Sequence, residues 1–322
     1  MLKYVLRRLL ETIPTTVGIL LLTFALFNVV GGSPAEVILG KNATAESIAA
    51  FNHKWGYDKP LIIGIGDRGT GNRGWWDSQF FNFVGDLCRG DFGYSIENQE
   101  PVVEILKRGV GPSLSLTVPI LVGCVTIGLM LAMLAAAMRG GWVDRSVLFG
   151  SAALMSVNYV IWVLAGQFFL SYKAGLFPVW GYESSFYLAL PVMIGVLSSL
   201  GTDVRFFRTA ILDELYKPYV LTARSKGLSG GTVMVRHVLR NALIPIVTYV
   251  SLSIPYLFTG SLLLESFFGI PGLGSVSINA IHSSDMAVVR TVVVLGAILY
   301  QFVNLVTDVL YAALDPRVRM EK

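Results

Sequence analysis

Charged residues are scarce in this sequence. Asp, Glu, Lys and Arg make up 14% of its 322 residues, and apolar residues make up 54%. A soluble globular domain carries about 25% charged residues and a disordered chain carries far fewer apolar ones, so both classes are excluded. The net charge of +4 is also too small for the basic surface of a nucleic-acid-binding protein. The chain is therefore predicted to lie in a lipid bilayer.

Residues for redox, metal or nucleotide chemistry are scarce as well. Cys88 lies in a polar stretch, Cys124 lies in an apolar run, and the three histidines are far apart, a poor basis for a disulfide framework or a metal site. The sequence has no G-x-x-x-x-G-K-S/T phosphate loop, so the chain has no means of binding ATP by itself. Gly64, Gly66 and Gly69 satisfy G-x-G-x-x-G without a surrounding βαβ pattern, and we interpret them as part of a loop. No catalytic, cofactor-binding or metal-ligating residues are predicted.

Long apolar runs are the main positive signal. A membrane-spanning helix needs about 20 mostly apolar residues to cross a hydrocarbon core about 30 Å thick. Six runs qualify, and the sixth has an apolar extension to Leu314: Thr12–Val30, Gly109–Met138, Ser146–Tyr172, Phe186–Thr202, Asn241–Leu264 and Thr291–Thr307. The predicted fold class is an all-α polytopic membrane protein with six transmembrane helices. Its predicted parts are a first span within residues 1–30, an extracytoplasmic segment 31–108 and a transmembrane core 109–322.

The distribution of basic residues predicts the orientation. Lysine and arginine are concentrated in segments on one side of the six runs: three in Met1–Glu11, two in Arg139–Arg145, seven in Asp203–Arg240 and three after Asp315. The short connections on the other side offer only Lys173 and Arg290. Because short cytoplasmic connections carry the excess of basic residues, both termini are predicted to be cytoplasmic. The segment 31–108 has eight basic residues but is long enough to translocate regardless of charge.

The largest cytoplasmic segment, 203–240, has apolar residues at helical spacing on both sides of Gly227. A helix that ends at Gly227 and another that starts at Ser229 predict a helix-turn-helix elbow projecting from the membrane. An amphipathic interfacial helix, or a solvated basic loop that obeys the positive-inside rule, accounts for the same pattern. Periodicity alone leaves these alternatives open.

The residues of this elbow resemble a known family. They read Thr222, Ala223, Arg224, Ser225, Lys226, Gly227, Leu228 and Ser229, followed by His237, Val238, Leu239, Arg240, Asn241, Ala242, Leu243, Ile244 and Pro245. This resembles the cytoplasmic EAA loop in the membrane subunits of ABC importers of the oligopeptide/dipeptide/nickel permease group, typically T-A-R-A-K-G-L-S and then H-x-L-R-N-A-L-I-P. Only Ser225 departs from the usual alanine.

The resemblance extends nearly from end to end. Further matching residues are Tyr57 to Leu61, Gly90 to Ser95, Pro101, Val102, Ile105, Arg108, Arg205, Arg208, Glu265, Phe268, Pro271 to Gly274, Asn304, Asp308, Tyr311 and Leu314 to Arg319. Asn158 departs from the group, which usually has proline in the third span, so details of the pathway there are not transferred.

The resemblance implies a type I ABC importer permease of a bacterial or archaeal cytoplasmic membrane, passing peptides or a related small solute inward. It implies four kinds of partner: a second homologous permease subunit, two ATP-binding subunits or domains, an extracytoplasmic solute-binding protein and the lipid bilayer. ATP and Mg²⁺ are expected on the ATPase chains, and no nucleic acid is expected. The residues implied for ATPase coupling are Thr222, Ala223, Arg224, Lys226, Gly227 and Leu228.

Two other function classes remain to be compared with this one. An ion-coupled secondary transporter or channel is expected to show buried acids or interrupted half-helices in repeated positions, and Asp308 is the one acid predicted deep in an apolar stretch. A membrane-embedded enzyme is disfavoured because the sequence offers no catalytic cluster.

Overall fold

The computed structural model describes residues 2–30, 35, 39–40, 43–55, 57–62, 77–95, 97–254 and 261–314. In these ranges the regular structure is helical, and β structure is limited to one isolated bridge between Tyr94 and Pro101. The first helices are α1 (Leu2–Phe24), α2 (Ala45–Trp55), α3 (Gln79–Arg89), α4 (Val102–Ala137), α5 (Trp142–Ser156), α6 (Tyr159–Gly166) and α7 (Ala189–Leu215). The remaining helices are α8 (Pro218–Ser225), α9 (Gly230–Thr232), α10 (Arg240–Ser251), α11 (Leu262–Phe268), α12 (Leu273–His282) and α13 (Met286–Leu314).

Several helices continue into tighter or wider turns. Three segments are π-helix: α1 is extended by Ala25–Val30, α6 is extended by Gln167–Lys173, and α9 is joined to α10 by Val233–Leu239. A 3₁₀ turn, Ser185–Leu188, leads into α7. Five continuous helical stretches are long and apolar enough to cross a membrane: Leu10–Asn28, Val102–Ala137, Ser185–Leu215, Gly230–Ser251 and Met286–Thr307. Two further pairs of helices pass the same test together but are sharply bent. An all-helical membrane protein is therefore confirmed.

The third predicted span is not a straight helix. Its run Ser146–Tyr172 is divided into α5 and α6, which meet at an angle of 88°. Asn158 caps the start of α6, because its side-chain oxygen accepts a hydrogen bond from the backbone N–H of Val160 at 2.9 Å. This asparagine stands where the resembling group has proline, and a sharp bend is present at the position all the same.

The fifth predicted span, Asn241–Leu264, is wrong at both ends. The continuous helix runs from Gly230 to Ser251, and Leu262 begins the separate helix α11, which is bent by 83° from α12. The helix starts before Asn241 because helical structure continues from the elbow directly into the apolar run. Its first turns carry Arg236 and Arg240. Long basic side chains near a helix end keep their charges at the membrane surface while their stems contact apolar groups.

The chain divides into two compact units. The core unit comprises Val110–Ser275 and Val303–Lys322, and the N-terminal unit comprises Leu2–Gly109 and Val276–Phe302. In the core unit, small residues allow the helices to approach closely. A Cβ added to Gly201 on α7 would lie 2.6 Å from the carbonyl oxygen of Ser151 on α5, and one added to Gly195 would lie 2.5 Å from Ile120 on α4. Such contacts are typical of helix packing in membranes, where van der Waals contact replaces the hydrophobic effect.

The N-terminal unit has its own small core of Phe24, Phe83 and Val294. Helix α3 is capped at both ends: the Ser78 hydroxyl accepts from the N–H of Phe81, and Gly90 ends the helix with a φ of 74°. This unit also holds a cavity of about 200 Å³ that includes Asp86, whose pKa is raised by burial and then by the neighbouring charge of Asp91.

Candidate coupling site

The elbow predicted around Gly227 is present in the core unit. Helix α8 begins with Pro218 at its first position and ends at Ser225, and Gly227 then takes a φ of 78°. The backbone N–H of Gly227 donates to the carbonyl of Arg224 at 2.9 Å. The Ser229 hydroxyl caps the next helix by accepting from the N–H of Thr232 at 3.4 Å. The left-handed turn and the serine cap are the two local signals from which the elbow was predicted.

Most of the predicted coupling residues lie on the surface. Thr222, Arg224, Lys226, Gly227 and Leu228 are exposed. Among the described residues, neither Arg224 nor Lys226 forms an ion pair, which leaves both charges available to a partner.

Ala223 differs from the other five. It is 5% exposed and belongs to the apolar cluster of the core unit that contains Phe207, Ile211 and Val238. Its small side chain therefore packs into this cluster, next to the Val233–Leu239 segment that α8 contacts, and does not itself face a partner. The prediction from sequence recognised the alanine but not the direction in which it points.

Leu221 is a surface residue that the prediction missed. It is 71% exposed on α8, one turn before Arg224 and Ser225, which share its face of the helix. An exposed leucine on a short helix rich in polar residues is the kind of apolar anchor that binds in a groove. The signal was available in the sequence, because Leu221 precedes Ala223 by two residues and must therefore lie on a different side of the helix.

The elbow is attached to the end of α7 by hydrogen bonds to Glu214. The hydroxyl of Tyr219 donates to this carboxylate at 2.7 Å, and the ammonium of Lys217 contacts it at 2.6 Å. Burial, followed by the hydrogen bond to Glu214, raises the pKa of Tyr219 to about 12. The phenol therefore keeps its proton at neutral pH and remains a donor.

An ion pair fixes the start of α5 to the same helix. The Arg208 guanidinium donates two hydrogen bonds to Asp144, at 2.7 and 2.8 Å, and both side chains are largely buried. Bidentate pairs of this kind fix orientation as well as distance. Arg205, which also matches the resembling group, is exposed and lies near the sulfur of Met155.

A buried carboxylate holds the bend between α11 and α12. Glu265 has no exposed surface, and each of its oxygens accepts two hydrogen bonds. One oxygen accepts from the Ser113 hydroxyl at 2.8 Å and from the N–H of Ser261 at 3.1 Å, and the other accepts from the N–H groups of Gly274 and Ser275 at 2.6 and 3.1 Å. The side chain thus caps the start of α12 from within α11.

The expectation that Asp308 is the one acid deep in an apolar stretch is wrong. Asp203 and Glu265 are both buried in the core unit, at 8% and 0% exposure. They were missed because both lie at the margins of the predicted spans, whereas the helices containing them extend further. The side chain of Asp308 lies outside the described residues, as do Gly64, Gly66 and Gly69. In the part of the chain that the structure describes, no group of three His, Cys, Asp or Glu residues is arranged to hold a metal ion.

Comparison with known proteins decides the family. Residues 128–320 match the model of the binding-protein-dependent transport system inner membrane component, and residues 1–117 match that of the N-terminal part of the same membrane component. The chain belongs to this family. It is accordingly an inner-membrane permease subunit of an ABC importer, a class that works with a solute-binding protein and ATPase partners.

Relatives of the permease align over almost its whole length. The glutathione transport system permease protein GsiC of Salmonella typhimurium is 33% identical over 320 residues, which is 99% of each chain, and its counterpart in Escherichia coli K12 is 32% identical over the same length. A probable peptide ABC transporter permease of Sinorhizobium fredii is 32% identical over 324 residues, covering 98% of the present chain and 99% of the relative. The elbow therefore lies in a chain that aligns with transport permeases over almost its whole length.

Proposed function

We propose that this permease imports peptides or a related small solute and that its elbow couples the movement of separate ATPase subunits to the membrane helices. The solute class is supported by relatives named for glutathione, itself a small peptide, and for peptides. In this proposal a second, homologous permease subunit completes the pathway. ATP and Mg²⁺ bind only to the ATPase chains, and this chain carries out no chemical reaction.

The observation that carries the coupling role is the exposed face of α8. It combines an exposed apolar side chain, Leu221, with Arg224, and Lys226 follows directly after the helix; among the described residues neither cation forms an ion pair. The helix is attached to α7 through Tyr219 and packs into the apolar cluster of the core unit through Ala223. A short, rigid helix transmits a push, whereas a solvated loop does not. The apolar residue provides contact area in a groove, and the cations orient it towards acidic residues on the rim.

The orientation belongs to the proposal as well. With seven lysines and arginines in 203–240, the positive-inside rule places the elbow and both termini in the cytoplasm. The segment 31–108 then lies on the opposite side, where the solute-binding protein delivers its ligand.

Reconstitution of the complete transporter tests the proposal. The permease, its partner subunit and the ATPases are placed in proteoliposomes with ATP inside, the binding protein is added outside, and uptake of radiolabelled trialanine and of glutathione is measured. We expect accumulation of at least one of these solutes that requires both ATP and the binding protein. Uptake driven by an ion gradient without ATP would contradict the proposal in favour of a secondary transporter.

A further inference from the structure

The core unit contains a large cavity lined by both apolar and hydroxyl-bearing side chains of its helices. Its volume is about 610 Å³, within the range of roughly 300–1,000 Å³ that is typical of small-molecule sites. Eight of the lining residues carry hydroxyl groups, among them Ser198, Ser199 and Tyr159. Apolar side chains such as Ile120 and Leu154 line the rest. Hydroxyls that alternate with apolar surface suit a solute with amide groups and short side chains.

Asp203 contributes the only charge among the described residues that line this cavity. It lies on α7 and is 8% exposed. The hydroxyl of Tyr249 donates to one carboxylate oxygen at 2.9 Å, and the ring of Tyr249 is held by stacking on Phe206 with centroids 4.3 Å apart. The thiol of Cys124 lies beside the same carboxyl group. The carboxylate is therefore held in a defined position at the cavity wall.

The partners of Asp203 provide no positive charge. The phenol of Tyr249 occupies part of its hydrogen-bonding capacity, whereas an ionised carboxylate accepts about four hydrogen bonds. No lysine, arginine or histidine of the described residues lies within ion-pair distance of it. A buried carboxylate is costly unless a cation compensates it, and an ionisable residue inside a membrane protein commonly marks a solute path. Here the open space beside the carboxylate is the cavity itself.

We infer that this cavity is a binding site for the transported solute and that Asp203 binds a primary ammonium group of that solute, such as the free amino terminus of a peptide. The hydroxyl groups around it contact the peptide bonds, and Tyr249 is a positioning residue that fixes the carboxylate. This inference rests on the proposed import of peptides and adds a recognition step within the permease, separate from recognition by the binding protein.

The test removes the charge first from the peptide, by acetylating its amino terminus, and then from the protein, by Asp203→Asn. Binding of trialanine and of N-acetyltrialanine to the detergent-purified permease–ATPase complex is measured by calorimetry without the binding protein, for the wild type and for Asp203→Asn. A charge-assisted hydrogen bond changes affinity by about tenfold or more. We expect trialanine to bind the wild type at least ~10-fold more tightly than N-acetyltrialanine does, and Asp203→Asn to abolish this preference.

Two controls keep the result interpretable. Asp213→Asn makes the same chemical change at an exposed position of the same helix and should retain the preference for trialanine. The comparison of the two ligands on the wild type needs no variant, so a folding defect of Asp203→Asn does not affect it. Equal binding of both ligands to the wild type, or no binding of either, would overturn the inference. The proposed function fails separately, if reconstituted transporters show no ATP-dependent uptake.

Discussion

Glu265 accepts hydrogen bonds from four donors, two at each carboxylate oxygen. Three of the donors are backbone N–H groups that begin α11 or α12, so this one side chain satisfies groups that a helix end would otherwise leave unpaired. The adjacent glycines leave it room, since a Cβ on Gly272 or Gly274 would lie 2.3 or 2.8 Å from its carboxylate. At the scale of the residue, the bend between α11 and α12 depends on a carboxylate that only accepts hydrogen bonds.

Glu265→Gln is expected to destabilise the core unit. The amide has almost the same shape but presents an NH₂ group to two of the four donors, and at least one backbone N–H then has no acceptor. An unsatisfied buried group costs about 1–3 kcal/mol. We expect a lower thermal unfolding midpoint in detergent, measured by the loss of the monodisperse species. Glu183→Gln, at an exposed site, is the matched control, and an equal midpoint for both variants would contradict the role of Glu265.

Gly227 allows a second test at this scale. Its φ of 78° disfavours any residue with a Cβ, although no atom lies within 4 Å of where that Cβ would be. Gly227→Leu should therefore act through backbone strain of about 1–2 kcal/mol and not through a clash within the chain. Gly227→Asn, which tolerates a left-handed conformation, should be milder.

The readout is co-purification of the ATPase subunits with each variant. We expect less ATPase with Gly227→Leu than with Gly227→Asn, at equal membrane insertion. If both variants retain the ATPase equally well, the left-handed turn is not required for the elbow to dock.

At the scale of the element, α7 organises the core unit. It packs against α5 and α10, pairs with Asp144 through Arg208, and carries near its end, at Leu215, the Glu214 side chain to which the elbow is attached. Movement of the elbow is therefore passed directly to a helix that also lines the cavity through Asp203. The sequence predicts a shorter span, Phe186–Thr202, because the apolar run ends where the charged residues that follow Thr202 begin, whereas the helix continues through them to Leu215.

Gly201→Ala tests the packing of α5 against α7. The new methyl group would lie 2.6 Å from a backbone carbonyl oxygen, which cannot rotate away, so the two helices must separate. Overpacking of this kind costs about 1–3 kcal/mol. We expect a lower unfolding midpoint and a weaker response of transport to ATP.

Gly150→Ala is the matched control, because it adds the same methyl group on α5 where no atom lies within 4 Å. It should unfold at the same temperature as the wild type or slightly higher, since alanine favours a helix. If Gly201→Ala is as stable as Gly150→Ala, the close approach of α5 and α7 does not limit stability.

At the scale of the whole molecule, features that neighbouring residues encode were predicted well from the sequence. Contacts between residues far apart in the chain were not. The elbow was predictable because Gly227 and Ser229 mark a helix end and a helix start in the chain itself. The sharp bend at Asn158 was not, because one polar residue in a long apolar run does not by itself show that it caps a new helix. Burial of Glu265 depends on Ser113, which lies 152 residues away in the chain. A contact between residues so far apart in the chain cannot be inferred from the spacing of residues in the sequence.

The central claim is that the exposed face of α8 transmits ATPase movement to the membrane helices. The most direct measurement is the amount of solute imported per ATP hydrolysed by reconstituted transporters carrying Leu221→Asp or Leu221→Met. Burying a leucine contributes about 1.5–3 kcal/mol, so an aspartate should weaken docking at least tenfold, whereas methionine keeps the apolar contact. We predict that Leu221→Asp loses most import per ATP and that Leu221→Met matches the wild type. Import by Leu221→Asp at the normal rate and with the normal ATP requirement would contradict the account.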